Sequence, residues 1–362
     1  AFNGCTALKE IVIPASVEFI GREAFFNCEI ATLEFEDDSK LRVIEHDAFA
    51  HTESLGSVVI PKSVETLGTA VFEESGITTL EFEKGTVLTE IPERAFAGTK
   101  IASVAIPDSI TLINHSAFRD NMALTSVKFG SGESIHIGSN VFYNTGLTSV
   151  NIPANIGYIG EYAFVGLENL TEFNVDENNP YYKAIDGVLM SKDGRKLIAF
   201  PAGRSGIYTV PVHVEIIGFG AFENSKLSNI SFDPNANILT FGYRAFFGAK
   251  NIKSFTVPAS VVSIDYYAFA NCTALEKVVF ADGNKLKGIY EGAFYGFMWA
   301  VAGNVYKQWY RKKKIRYEYG TETWRTQLQS QNSDPHVQRG RSQSVLGLHA
   351  EQDSSEHPQR VL

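Results

Sequence analysis

The sequence predicts one elongated solenoid, mostly β, with short coils stacked along a common axis. Three observations predict it. A Phe preceded by Ala or Val recurs at Phe2, Phe25, Phe49, Phe72, Phe96, Phe118, Phe142, Phe164, Phe222, Phe246, Phe269 and Phe294, in steps of 22 to 25 residues with a single step of 58. Pro14, Pro61, Pro107, Pro153, Pro211 and Pro258 each stand eleven residues before one of these Phe, so they mark every second unit. Each unit opens on an alternating apolar run rich in β-branched residues. A fixed period of this size is the signature of a stacked array, because one such unit cannot bury its apolar face alone.

The elements follow in order within each unit. The run L-x-x-[VIL]-x-[FIV] is a short strand, ended where proline cannot continue a hydrogen-bonded ladder. A second apolar pair comes next, such as Val17 with Ile20 or Val64 with Leu67, and glycine then often turns the chain, at Gly21, Gly68, Gly160 and Gly218. The Ala-Phe piece that closes the unit is too short for a full helix and is expected to form a helical or 3₁₀ turn. The opening strands make a parallel sheet on one face, with short strands and helical turns on the other. Twelve coils at about 4.8 Å give an array roughly 58 Å long with one continuous core, and each Phe acts as an interior peg worth about 1.5–3 kcal/mol on burial.

ALKEIVIPASVEFIGREAFFNC (7–28) and SFTVPASVVSIDYYAFANC (254–272) carry a resemblance. They resemble the BspA-like leucine-rich repeat family, with units of the form L-x-x-I-x-I-P-x-x-V-x-x-I-G-x-x-A-F-x-x-C; Asp265 stands where the pattern has glycine. The resemblance covers about residues 1–300. It implies a leucine-rich repeat solenoid, formally α/β but mostly β, with the array over 1–302. It also bears on the step of 58. Within residues 176–211, IDGVLMS and KLIAFP flank Lys192-Asp193-Gly194, a hairpin turn. The family has an extended, hairpin-bearing repeat, and the insertion (about 176–206) is expected to replace one Phe turn with a two-stranded projection.

The three cysteines are too few for a disulfide framework. Cys28 lies three residues after its peg, a slot that elsewhere holds Cys5, Thr52, Ser75, Thr99, Asn121, Thr145, Leu167, Ser225, Ala249, Cys272 and Phe297. Mostly small, mildly polar residues share it, as a buried slot for a compact hydrogen-bonding group would require. The main expectation is packing; a Cys5–Cys28 disulfide between neighbouring coils, a nucleophile and a metal ligand are the alternatives.

Catalytic and cofactor chemistry finds no motif: there is no C-x-x-C, H-E-x-x-H, P-loop or G-x-S-x-G. FGSG (129–132) and GFGAF (218–222) read as turn glycines. His46 and His51 read as surface residues, and NVDENNP (174–180) as a loop cap rather than a calcium loop. No cofactor and no metal are expected. Net charge is −9, with the first 302 residues at −13; an acidic body disfavours a nucleic-acid groove. No apolar run approaches the roughly 20 residues of a membrane span. Sequons occur at Asn114, Asn169, Asn229 and Asn271, the last expected to be poorly accessible. The chain opens in mid-pattern at Ala1 without a signal peptide and reads as a piece of a longer chain.

Strand alternation puts one set of side chains outward. Between the last two apolar positions stand Val12, Glu34, Val59, Glu81, Ala105, Lys128, Asn151, Asn174, Thr209, Ser231, Thr256 and Val279; two residues earlier runs a ladder rich in Ser and Thr. The candidate binding face is Glu34, Glu81, Lys128, Asn151, Asn174, Ser231 and Thr256, on the ground that solenoid sheets serve as extended platforms. The bland alternative is that such residues suit any exposed sheet. Residues 303–325, with the basic run Arg311-Lys312-Lys313-Lys314, are expected to cap the array, and 326–362 to be disordered. The family resemblance implies a non-enzymatic, protein-binding scaffold, secreted or held at the cell surface, that adheres to host or neighbouring-cell proteins. An architectural spacer presenting a domain outside this sequence is the alternative.

Overall fold

The structure, a computed structural model, describes residues 1–296; the expected cap at 303–325 and tail at 326–362 lie outside them, as does the end of the array. Within 1–296 the chain winds as a parallel β-solenoid with three faces. On the first face stand the opening strands, such as Glu10–Ile13, Thr32–Phe35, Ser57–Ile60 and Thr79–Phe82. They pair in parallel and in register, Glu10 beside Thr32 and Ser57 beside Thr79. The sheet is not continuous: it consists of six two-stranded sheets, each joining a proline-bearing coil to the one that follows. The periodic proline explains the breaks. Directly after its strand a coil without proline donates back, as Glu36 N–H does to Ile13 O (3.0 Å) and Glu83 N–H to Ile60 O (2.9 Å). At Pro61, Pro107, Pro153, Pro211 and Pro258 that N–H does not exist, and the ladder opens there.

The second face carries two-residue strands such as Phe19–Ile20 and Val43–Ile44, in sheets of three, four and seven strands. Here the residue after each strand donates to the coil before, as Gly68 N–H does to Ile44 O (2.7 Å) and Asn114 N–H to Ile91 O (2.9 Å). Pro92 holds that position after Glu90–Ile91 and cannot donate, and the break between the three- and four-stranded sheets falls there. Gly68 is required for a different reason: an added Cβ would lie 2.2 Å from the backbone nitrogen of His46.

The third face corrects an expectation. Among the described residues there is no α- or 3₁₀-helix; the Ala-Phe segments are chains of tight turns. The residues two before and two after each peg have left-handed φ: Glu23 and Asn27 around Phe25, Asp47 and His51 around Phe49, Gly220 and Asn224 around Phe222. A left-handed residue every four positions prevents consecutive helical dihedrals. Alternate amides instead reach the next coil, Glu23 to His46 O (3.0 Å), Phe25 to Ala48 O (2.8 Å) and Asn27 to Ala50 O (2.9 Å). The amides between them close turns onto carbonyls three residues back.

Inside, the pegs stack with rings nearly parallel. Phe2 and Phe25 lie 5.3 Å apart between centroids, Phe118 and Phe142 5.8 Å, and Phe246 and Phe269 4.7 Å. Offset stacking at this spacing adds about 0.5–1.5 kcal/mol per pair beyond burial. The step of 58 hides a peg. Phe200 stacks on Phe222 at 5.1 Å, and its N–H donates to Ala221 O as a peg's does. The insertion therefore keeps a Phe peg, but the tight turn around it is replaced as expected: Phe200 directly follows strand Lys196–Ala199, and neither Ile198 nor Ala202 is left-handed.

Nor does the insertion project. Tyr182–Ile185, Val188–Ser191 and Lys196–Ala199 form an antiparallel meander of three strands, not two, and the last joins the second-face sheet in parallel with Ile216–Ile217. Both faces of its centre are covered: Val188, Leu189 and Met190 are all fully buried. Leu189 and Ala199 pack with the coils before the insertion, whereas Val188, Met190, Leu197 and Phe200 pack with those after it. The expected single core is in fact two, divided by this wall.

Candidate functional site

The strand face is built by the alternation of each opening strand. Val58 and Ile60 turn inward and are buried, leaving Val59 between them half exposed (50%). The seven candidate residues all lie at that outward position. Glu34, Glu81, Lys128, Asn151, Asn174 and Thr256 are exposed and Ser231 is half-buried. The paired register aligns them: Val12 stands beside Glu34, Val59 beside Glu81, Ala105 beside Lys128, Asn151 beside Asn174, Thr209 beside Ser231 and Thr256 beside Val279. Thr209 and Ser231 share a hydrogen bond of 2.8 Å, and Asn174 Nδ2 donates to Glu172 Oε1 at 3.3 Å.

The face is thus two surfaces. Toward the N-terminus an acidic and apolar stripe runs through Glu10, Val12, Glu34, Val59 and Glu81, with Val12 53% exposed. From Lys128 onward the outward line is mostly polar, through Asn151, Asn174, Thr209, Ser231 and Thr256 to Val279, with Glu172, Ile207 and Lys277 exposed beside it. A line of valines alternating with carboxylates can take a complementary protein surface carrying apolar and basic groups. Nothing in it resembles a nucleophile with its base.

The cysteine slot behaves as packing predicts. The three thiols are free, with Cys28 and Cys272 buried. Thr52 and Thr145 donate to the carbonyl of their own peg, at 2.7 and 3.1 Å, whereas Thr99 donates to Asn121 Oδ1 at 2.7 Å and Asn121 Nδ2 donates to Phe96 O at 2.8 Å. Cys28 donates instead to the preceding peg's carbonyl, Phe2 O at 2.8 Å, and Cys272 to Phe246 O at 2.9 Å. Burial raises the thiol of Cys28 and pushes that of Cys272 up to about 12, the opposite of what a nucleophile needs. In the loop at 174–180, Asn179 is the pin. Its Nδ2 donates to Pro153 O and Ile156 O, and its Oδ1 accepts from the amides of Tyr181 and Tyr182, all at 2.9–3.0 Å. His46 is exposed and His51 half-buried; each makes a contact to the following coil, His46 with the amide of Thr69 and His51 with Glu74.

Sequence reasoning missed a cleft where the second and third faces meet beside the insertion, with a volume of about 260 Å³. Residues 158–165 of the coil before the insertion line one side, and the rest comes from the meander and from Phe219, more than fifty residues further on, so the sequence did not show that they meet.

Stacked coils around a Phe ladder, with one outward strand face, define a leucine-rich repeat scaffold. The BspA type leucine rich repeat region matches in six copies over residues 1–88, 89–185 and 206–300, and the chain belongs to that family. Among solved structures it is similar to a leucine rich cell surface protein of Faecalibacterium prausnitzii A2-165, at 23% identity over 81% of this chain and 80% of that one, TM-score 0.54. It is also similar to a leucine-rich repeat protein of Eubacterium ventriosum ATCC 27560, at 20% identity over 72% of this chain and 66% of that one, TM-score 0.51. No curated protein is a significant match. Among the described residues no helix is long and apolar enough to cross a membrane.

Proposed function

We propose that the chain is a non-enzymatic scaffold, secreted or displayed at the cell surface, that holds a host or neighbouring-cell protein through its strand face. The observation that carries this reading is the register of that face. Glu34, Glu81 and Lys128 repeat every second coil, each exposed and each beside an apolar or small neighbour. Solenoid arrays use such surfaces to meet proteins. The Faecalibacterium relative is called a cell surface protein, which supports the location. The absence of nucleophile, phosphate-loop and zinc motifs from the sequence supports the non-enzymatic reading. The partner presents apolar and basic groups to the stripe from Glu10 to Glu81, so its on-rate falls with salt.

The test is a screen of the isolated array against matrix, plasma and cell-surface proteins, followed by Glu34→Lys, Glu81→Lys and Lys128→Glu together. A partner bound by the parent should lose at least about tenfold in affinity with the triple reversal. An unchanged affinity removes the strand face as the site. Failure of every protein in the screen leaves the array as a spacer.

A further inference from the structure

The cleft beside the insertion stands apart from the strand face, and its chemistry is of another kind. Its walls are aromatic: Tyr158, Tyr162, Tyr182 and Phe219. Tyr158 is 51% exposed. Two opposite charges face it from different elements, Glu161 from the coil of Phe164 and Lys196 from the meander. The Lys196 ammonium lies 5.9 Å from the centre of the Phe219 ring. The Tyr182 hydroxyl accepts the amide of Ile159 at 2.8 Å and keeps its proton to give.

The cleft also lies where the ladder of the third face stops. In the coil before, Asn140 and Phe142 donate their amides to Glu161 O and Ala163 O, at 3.1 and 2.9 Å. The amides of Tyr162 and Phe164, one coil on, have no backbone acceptor among the described residues, because the meander replaces the coil that would supply one. Two lining residues therefore carry donors that no backbone carbonyl meets. Burial raises the carboxyl of Glu161, and Lys196 offsets this only in part.

A second observation gives the cleft a direction. The corner position three residues before each peg holds Arg22, His46, Thr69, Glu93, His115 and Ser139 in the earlier coils. After the insertion it holds Phe219, Tyr243 and Tyr266, and then Glu291 before Phe294. Phe219 touches Tyr243 at 6.5 Å and Tyr243 touches Tyr267 at 6.0 Å, while Tyr266 pairs separately with Tyr290 at 5.1 Å. An aromatic ribbon of Phe219, Tyr243 and Tyr267 thus runs from the mouth of the cleft along the next two coils.

We propose that the cleft is a saccharide subsite, taking one sugar ring of a glycan whose further rings lie along the ribbon. A lipid tail would strand both charges, an anion meets Glu161 and a cation meets Lys196. A neutral ring with donors and acceptors on its edge and C–H groups on its faces satisfies both charges and stacks on the aromatic walls. The volume of about 260 Å³ suits one ring and falls short of the roughly 300–1,000 Å³ that encloses a drug-sized ligand.

The test is an array of defined neutral and sialylated oligosaccharides probed with the whole chain, then titration of the best free oligosaccharide. Tyr158→Ala and Glu161→Ala alter exposed side chains and should fold as the parent does, checked by circular dichroism and melting temperature. Each should weaken binding by about tenfold or more, and the bound sugar should slow hydrogen exchange at the Tyr162 and Phe164 amides. The triple reversal Glu34→Lys, Glu81→Lys and Lys128→Glu should leave sugar binding unchanged, which separates this site from the strand face. No saccharide bound by the parent, equal binding by both alanine variants, or preferential binding of peptides in the same format would overturn the proposal.

Discussion

The slot three residues after each peg shows how one side chain can be read twelve times. Thr52 closes on Phe49 O at 2.7 Å, whereas the equivalent buried hydroxyl of Ser75 finds no partner. Removing a made bond and removing an unmade one differ in sign. Thr52→Val keeps the volume and should destabilise by about 1–2 kcal/mol, while Ser75→Ala should be neutral or slightly stabilising; chemical denaturation of the two variants checks it, and an equal loss in both would refute the slot as a hydrogen-bonding site. That Cys28 fills space rather than reacts was legible because neighbouring coils put Thr, Ser and Asn in its place. The left-handed residues flanking each peg were not legible. Glu74, Ala70 and Arg94 hold that conformation (φ 52° to 57°), and only the Gly, Asn, Asp and His among its occupants carry a local preference for it. The solenoid, not the residue, sets the dihedral there.

At the scale of elements, proline does the partitioning. The first-face breaks and the Pro92 break each follow from a missing N–H, and the first-face breaks were open to reading from the sequence, since the periodic prolines were visible before the sheets were, whereas Pro92 stands outside that period. The Ala-Phe turns were misread as helical because a short Ala-Phe-rich piece looks the same in either state, and neighbouring coils decide by accepting every second amide. Phe200 escaped because the peg spacing was sought across the meander rather than from its far end. On the third face the turns are clamped across coils by charge, and one clamp is buried. The Glu223 side chain is fully enclosed, and Arg244 Nε donates to its Oε2 at 3.0 Å while the guanidinium packs 3.7 Å from the centre of the Phe247 ring. Burial pushes the Glu223 carboxyl up, and Arg244 holds it down only in part. Arg244→Met leaves a buried lone carboxylate and should cost about 3–5 kcal/mol at neutral pH. In that variant the folded-state pKa of Glu223 lies further above its unfolded value. The fold then binds the extra proton, so stability is greatest at acid pH and is lost as pH rises through the raised value. The double variant Glu223→Gln with Arg244→Met should remove that slope. A melting temperature for Arg244→Met that does not rise on acidification would show the pair to be incidental.

For the whole array, the consequence of the meander is thermodynamic. A solenoid is stabilised by each coil and its neighbours, so cooperativity travels only as far as the interfaces allow. Here the core is two clusters on either side of one wall, and adjacent residues of a single strand serve different clusters: Leu189 the first, Val188 and Met190 the second. Phe118 lies deep in the first and Phe246 deep in the second. Each truncation, Phe118→Ala or Phe246→Ala, should cost about 3–5 kcal/mol. The loss should appear in the exchange of amides on its own side of residues 188–199 while the other side keeps its protection. Leu189→Ala should loosen the earlier coils and Met190→Ala the later ones, although the two are neighbours in sequence. Native-state hydrogen exchange resolved along the chain reads this directly. A uniform loss of protection on both sides would mean that the wall couples the cores rather than dividing them, and that the pegs before and after it act as one column.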